Sequence, residues 1–307
     1  MKPFIRPDYL KKGDTVAVIA LGYALDEAGR NTLYWKELFE SWGLHVKTGA
    51  HLYDKTAGGF AGSDEDRAAD LACMLLDPDV KAIISFRGGY GSMRTVRAFC
   101  AKYGAELFLT HPKWLAGFSD ITVFHSLLRT LELESIHGAM PCTFDENSRV
   151  SEESLRKALF GEVKGYGTAP HPYNRTGSAR GRLVGGNLCL LHSCLGTPWD
   201  NPMREDCILL LEEVDERMYN LDRMLLTLQQ GGYFKRAKGI MIGQITDTTG
   251  EAEWQRNATD LIHEYMPDDR PVLFGFDAGH EHPNYSLYLG REATLDITDD
   301  GGYLKFL

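Results

Sequence analysis

The apolar run Thr15 to Leu21, preceded by Gly13-Asp14, reads as a buried strand. Asp26 to Trp42 reads as a helix, and Gly43 stops it. Leu44 to Lys47 predicts a second short strand. Ser63 is a candidate cap for a helix over Asp64 to Leu76, with Asp66 in its first turn, and Asp77-Pro78 ends it. Val80 to Phe86 is again apolar and strand-like, and it runs into the glycine-rich Arg87-Gly88-Gly89-Tyr90-Gly91. A helix follows from about Ser92 to Phe99, then a strand from Trp114 to Phe118 and a helix from about Asp120 to Leu131. Strand–helix units repeated at this spacing predict a parallel sheet with helices on both faces.

Near residue 150 the pattern changes. Ser151 to Phe160 predicts a helix, and Gly161 to Thr176, rich in Gly, Pro, Tyr and His, predicts a linker. Beyond it the strands are shorter: Arg180 to Val184, Cys207 to Leu211, Gly239 to Ile245, Thr294 to Ile297 and Tyr303 to Leu307. Helices near Asn187 to Leu195, Tyr219 to Gln230 and Ala252 to Tyr265 interrupt them. The expected organisation is α/β: residues 1–150 as a parallel-sheet domain, 151–176 as helix and linker, and 177–307 as a β-rich domain with flanking helices.

Composition narrows the partners. With 307 residues, two domains fit comfortably, and 43% hydrophobic against 25% charged residues supports a packed core rather than disorder. A net charge of -10 with no Lys/Arg cluster argues against nucleic acid, whose phosphates need concentrated cations. The six cysteines form no C-x-x-C pair and most lie in apolar stretches, so they read as small buried hydrophobes. Met1 to Asp8 has no apolar core of a signal peptide, and no stretch is long enough to span a bilayer. The expectation is a cytoplasmic protein that engages neither membrane nor nucleic acid.

Three segments carry candidate chemistry. Trp114-Leu115-Ala116-Gly117-Phe118-Ser119-Asp120 leads an apolar strand through a polar turn into a helix. A serine on such a bend presents its hydroxyl beside the free N–H groups of the helix start, which favours an oxyanion there. The spacing is not G-x-S-x-G, and from this segment alone simple helix capping by Ser119 or Asp120 is the preferred reading. The loop Arg87 to Gly91 lacks a G-x-G-x-x-G or P-loop spacing; a Gly89 or Tyr90 N–H there could supply half of an oxyanion hole with Asp120, or the loop could be a tight turn. The acidic group Glu212-Glu213-Val214-Asp215-Glu216 closes a very apolar strand, where a carboxylate can orient a histidine. Alternation along a strand puts Glu212 and Glu213 on opposite faces without choosing between them. His280, beside Gly279, is a candidate general base; His280 and His282 with Asp277 or Glu281 form the weaker alternative of a metal site, which lacks further ligands at recognisable spacing.

The ordered set Arg87-Gly88-Gly89-Tyr90-Gly91, Gly117-Phe118-Ser119-Asp120, Gly185-Gly186-Asn187-Leu188, Gly196-Thr197-Pro198, Leu211-Glu212 and Gly279-His280 resembles the LD-carboxypeptidases, or muramoyltetrapeptide carboxypeptidases. Phe60-Ala61-Gly62-Ser63-Asp64 and Asp222-Arg223-Met224-Leu225 match as well, so the resemblance covers nearly the whole chain. It implies a Rossmann-like N-terminal domain, a C-terminal β-barrel-like domain, a homodimer and a cofactor-free serine peptidase. By position it implies Ser119 as nucleophile, His280 as base, Glu212 rather than Glu213 as orienting acid, and an oxyanion hole of the Gly89 and Asp120 N–H groups. The substrate it implies is a murein tetrapeptide that loses its terminal D-Ala in cell-wall recycling. Arg87, Tyr90 and Asn187 are the candidate substrate contacts, with Arg87 for the free carboxylate. A sister branch, similar to the microcin C immunity peptidases, hydrolyses aminoacyl or peptidyl sulfamoyl adenylates; a ligand-binding protein without turnover is the remaining alternative. One departure is Ala20-Leu21-Gly22, where family members often carry Ala-Pro-Ser.

Overall fold

The computed structural model describes residues 4–25, 33–145, 147–200 and 207–307. The chain divides into two compact units, Met1–Glu162 with Tyr285–Tyr288, and Val163–Asn284 with Leu289–Leu307.

In the first unit, β1 (Thr15–Ile19), β2 (His45–Thr48), β3 (Val80–Ser85), β4 (Trp114–Gly117) and β5 (Ser135–His137) form a parallel sheet in the order β5-β4-β3-β1-β2. The late strand β11 (Leu287–Leu289) is the neighbour of β5. Every residue of β1 and β4 is buried, as parallel strands covered on both faces require. The helices of eight residues or more among the described residues are α1 (Tyr34–Ser41), α2 (Asp64–Leu76), α3 (Ser92–Tyr103), α4 (Thr122–Thr130) and α5 (Arg149–Leu159). The expected cap of α2 is a reciprocal one: Ser63 Oγ accepts from the Asp66 N–H at 3.1 Å, and Asp66 Oδ2 accepts from the Ser63 N–H at 2.9 Å. The expected helix Asp26 to Trp42 is described only from residue 33, where it is helical over Tyr34–Ser41; residues 26–32 lie outside the described residues. In this strand order, the chain reverses direction across the sheet between β1 and β3. The loops after β1, β3 and β4 leave the carboxyl edge, where sheets of this kind bind ligands.

The second unit is built on a mixed sheet in the order β10-β9-β8-β7-β12-β13-β6. Its strands are β6 (Gly165–Thr168), β7 (Gly177–Asn187), β8 (Cys207–Val214), β9 (Gly239–Thr246), β10 (Val272–Leu273), β12 (Glu292–Thr298) and β13 (Gly301–Phe306). From β10 to β7 the pairs are parallel, and from β7 to β6 they are antiparallel. Helices α6 (Leu188–Cys194), α7 (Met218–Gln230) and α8 (Ala258–Tyr265) cover it. Leu209, Leu211, Ile240 and Ile242 pack with Leu221, Leu225 and Leu261 in one apolar core.

Three expectations need correction. The predicted linker contains β6, an edge strand of sequence Gly-Tyr-Gly-Thr whose pairing with β13, not any hydrophobic alternation, makes it a strand. The helix expected over Ala252 to Tyr265 is broken: Gln255 has φ 52°, and Asn257 starts α8 by accepting the Asp260 N–H at 2.8 Å. Of the cysteines, Cys194 and Cys207 are buried, whereas Cys73 and Cys142 are exposed.

Candidate functional site

In the first unit, the turn after β4 holds Ser119 at φ 60°, in the left-handed region that a residue with a Cβ enters at a cost. The turn is a three-residue 3-10 segment, Ser119–Ile121, that passes directly into α4. This is the strained strand-to-helix geometry that exposes a nucleophile above a sheet. Its backing is a buried histidine. His125 Nε2 lies 2.9 Å from the Gly117 carbonyl, and Nδ1 lies 2.8 Å from Ser135 Oγ. A carbonyl can only accept, so Nε2 carries the proton and Nδ1 accepts from the serine hydroxyl.

Burial pushes the His125 imidazole down to about 4 from an ordinary 6.5. The unfolded chain therefore binds the proton more tightly, and the folded state gains from a neutral ring. That contribution is complete above about pH 6.5 and is lost as pH falls from there toward 4. Between pH 7 and pH 5 the wild type is expected to lose about 2 kcal/mol more stability than His125→Gln, measured by urea unfolding at both pH values. Equal losses in the two proteins would show that His125 is not held neutral.

The glycine loop lies against the serine turn. A Cβ on Gly88 would stand 3.2 Å from Ser119 Cβ and 3.4 Å from the Asp120 nitrogen, so the missing side chain leaves the Asp120 N–H approachable. Gly89, at φ 98°, packs on Tyr23: a Cβ there would meet the ring at 2.6 Å. Tyr23, Phe60 and Tyr90 form a ring cluster with centroids 5.5–6.1 Å apart, and Tyr90 is half exposed. Arg87 is partly buried and donates from Nη1 to the Ala24 carbonyl at 3.2 Å. Its Nε is buried without an acceptor, and among the described residues it makes no ion pair.

In the second unit, the end of β8 separates the two neighbouring glutamates. Glu212 is fully buried, and its Oε2 lies 2.9 Å from Nδ1 of His280, whose side chain is 20% exposed. The pair stands at ion-pair distance without the alignment of a full hydrogen bond, a looseness common where no substrate is bound. Glu213 turns elsewhere. It accepts from Asn187 Nδ2 at 2.8 Å, the Cys189 N–H at 2.7 Å and the Val214 N–H at 2.9 Å. Burial, then the neighbouring Glu212 carboxylate, pushes Glu213 up to about 7. Alternation along β8 aims the two side chains apart, and opposite Glu212 the strand β9 carries one extra residue, at Gly243-Gln244, where the register shifts.

His280 is brought to Glu212 by residues that carried no motif. Gly243 on β9 is the gap that admits its loop, since a Cβ there would stand 2.4 Å from the Ala278 carbonyl oxygen and 3.2 Å from Glu212 Cβ. Gln244 then pins the loop three times. Its N–H donates to the Ala278 carbonyl at 2.9 Å, its Oε1 accepts from the Glu281 N–H at 2.7 Å, and its Nε2 donates to the Pro283 carbonyl at 2.9 Å. Asn284 adds an acceptor for the Gly279 N–H at 3.3 Å. The only sequence signal for any of this is the glycine–glutamine pair within an apolar strand. Asn187, a candidate substrate contact, is buried: its Oδ1 accepts from the Leu190 N–H at 3.2 Å as the cap of α6, and its amide serves Glu213. Among the described residues no group of three or more His, Cys, Asp and Glu is placed to hold a metal ion, and none of the helices is long and apolar enough to cross a membrane.

The first unit thus presents a serine and backbone donors; the second presents a histidine on a buried carboxylate. The LD-carboxypeptidase N-terminal domain model matches residues 16–138, and the C-terminal domain model matches residues 180–295. Over 305 residues the chain is 35% identical to the probable murein peptide carboxypeptidase of Bacillus subtilis (strain 168), covering 96% of this chain and 92% of that one. Muramoyltetrapeptide carboxypeptidase from Oxalobacter formigenes superposes with a TM-score of 0.81 at 25% identity, over 95% of this chain and 98% of that one. MccF in complex with glutamyl sulfamoyl guanosine shares the fold, with a TM-score of 0.85 at 21% identity over 99% of this chain and 98% of that one. With both domain models matched in order and a relative at this identity across almost its full length, the chain belongs to the LD-carboxypeptidase family of peptidases.

Proposed function

We propose that the protein is a serine LD-carboxypeptidase that releases the terminal D-Ala from murein tetrapeptides. The observation that carries the reading is Ser119 at φ 60° on the turn between β4 and α4. A strained serine at a helix start has little structural purpose, and a cap would do as well in relaxed geometry. In this reading His280 takes the proton of Ser119, and Glu212 holds the ring and stabilises the imidazolium. Ser119 attacks the carbonyl of the L-D peptide bond, and the oxyanion forms against the Gly89 and Asp120 N–H groups. D-Ala leaves with the proton from His280, and water then frees the acyl-enzyme. Each step runs on side chains and backbone donors of the chain, without a cofactor.

An exopeptidase must recognise a free carboxylate. Arg87, partly withdrawn from water and without an ionic partner among the described residues, is the cation we assign to it. Tyr90 lies on the same loop, exposed beside it. We place the reaction in the cytoplasm, in a homodimer; the absence of a disulfide among the six cysteines agrees with a reducing compartment. The 35% identity to a probable murein peptide carboxypeptidase, against 23% to the microcin C7 self-immunity protein MccF, favours the murein substrate over an acyl sulfamoyl nucleotide.

The test is mass spectrometry of murein tetrapeptide incubated with wild type, with a Ser119 variant, and with wild type plus chelator. Loss of one alanine in the first and third only is the expected result. An intact tetrapeptide alongside a cleaved aminoacyl sulfamoyl adenosine would replace this reading with that of an immunity-type hydrolase.

A further inference from the structure

We propose that the Asp120 side chain is a positioning residue that ties the glycine loop to the serine turn and so holds the two oxyanion donors in register. This rests on the reading of Ser119 as nucleophile. Asp120 is only 2% exposed, and its Oδ2 accepts from the Ser92 N–H at 2.8 Å. Ser92 is the first residue of α3, directly after the Arg87–Gly91 loop. The residue whose N–H faces the oxyanion thus uses its side chain to anchor the end of the loop that supplies the other donor.

The surrounding geometry leaves this tether specific work. At its other end the loop is already fixed by strand contacts: the Phe86 N–H donates to the Ile19 carbonyl at 2.7 Å, and Ser85 Oγ donates to the Arg87 carbonyl at 2.9 Å. Between these anchors, Gly89 and Gly91 sit at φ 98° and 126°, where the glycine backbone has several wells to choose from. Gly91, which precedes α3, offers no side chain as a cap, so Asp120 supplies the cap from another segment. The contact is close-packed: a Cβ on Gly22 would lie 3.0 Å from Asp120 Oδ2 and 2.7 Å from the Tyr90 carbonyl oxygen. The tether and the loop carbonyl fill the space that a side chain at Gly22 would take. Burial raises the Asp120 carboxyl, and the Ser92 N–H bond only partly offsets that rise.

The experiment compares Asp120→Ala, Asp120→Asn and Ser92→Pro with wild type in steady-state turnover and in the rate of labelling by a fluorophosphonate. The phosphonyl oxygen of that probe needs the same donors as the substrate but no peptide recognition. Asp120→Ala is expected to lose about 30- to 100-fold in kcat with KM within about threefold, and to label correspondingly slowly. Asp120→Asn retains an acceptor for the Ser92 N–H and is expected to recover most of the labelling rate. Ser92→Pro removes the donor at a helix position that tolerates proline, and should reproduce the alanine defect if Asp120→Ala itself fails to fold. A lower melting temperature with unchanged kcat and labelling in Asp120→Ala would reduce Asp120 to a helix cap and overturn the proposal. Labelling of wild type and Ser119→Ala at equal rates would instead remove the nucleophile reading, and this inference with it.

Discussion

Ser119→Gly is expected to abolish release of D-Ala while making the protein more stable. The chemical loss is the larger effect. Without a nucleophile the acyl-enzyme cannot form, and turnover should fall by about 10⁴-fold or more, leaving only what the oxyanion donors and binding provide. The stability gain has a separate cause. At φ 60° the serine backbone sits where its Cβ crowds the following carbonyl. Glycine occupies that region freely, and the relief should exceed its greater unfolded-state entropy by a net of about 1 kcal/mol. Ser119→Ala keeps the Cβ and should lose activity equally without the gain. Thermal unfolding of the three proteins, with mass-spectrometric assay of D-Ala release, separates the two effects. A Ser119→Gly protein less stable than Ser119→Ala would mean the turn is not strained.

Glu212→Gln is expected to fold and to lose about 10⁴-fold in kcat, with KM much less affected. The carboxylate is fully buried against Nδ1 of His280 at 2.9 Å. An amide of the same shape fills the space but can present its N–H₂ to the ring, selecting the tautomer that points a proton at the serine instead of a lone pair. It also leaves the imidazolium of the reaction without a counter-charge. Glu213→Gln is the control. Its carboxylate caps α6 and bonds Asn187, so its loss should appear mainly in stability. A Glu213→Gln defect as deep as that of Glu212→Gln would show that the neighbouring acids share the role.

The parallel sheet of the first unit was legible because each strand is an apolar run closed by a turn residue, and because burial on both faces leaves no polar alternation to confuse the period. Ser63 and Asp66 announced the start of α2 for the same local reason: a cap bonds within four residues. The strand β6 was not legible. Its four residues carry no pattern, and only the β13 backbone makes them a strand. The break after Trp254 was missed because a left-handed Gln255 leaves no compositional mark.

At the candidate site the division is similar. The sequence by itself determined that a serine stands between an apolar strand and a helix, that glycines follow β3, and that two acids end β8, because each is a matter of order along the chain. It could not choose Glu212 over Glu213, since alternation gives both faces equal standing; the register shift against β9 and the gap at Gly243 decided it by admitting the His280 loop to one of them. Nor could it foresee that the Asp120 carboxylate would reach Ser92, a hydrogen bond between segments 28 residues apart. Contacts of that separation depend on how strands order themselves in a sheet, and that ordering is set by burial of the whole core and not by any local run of residues.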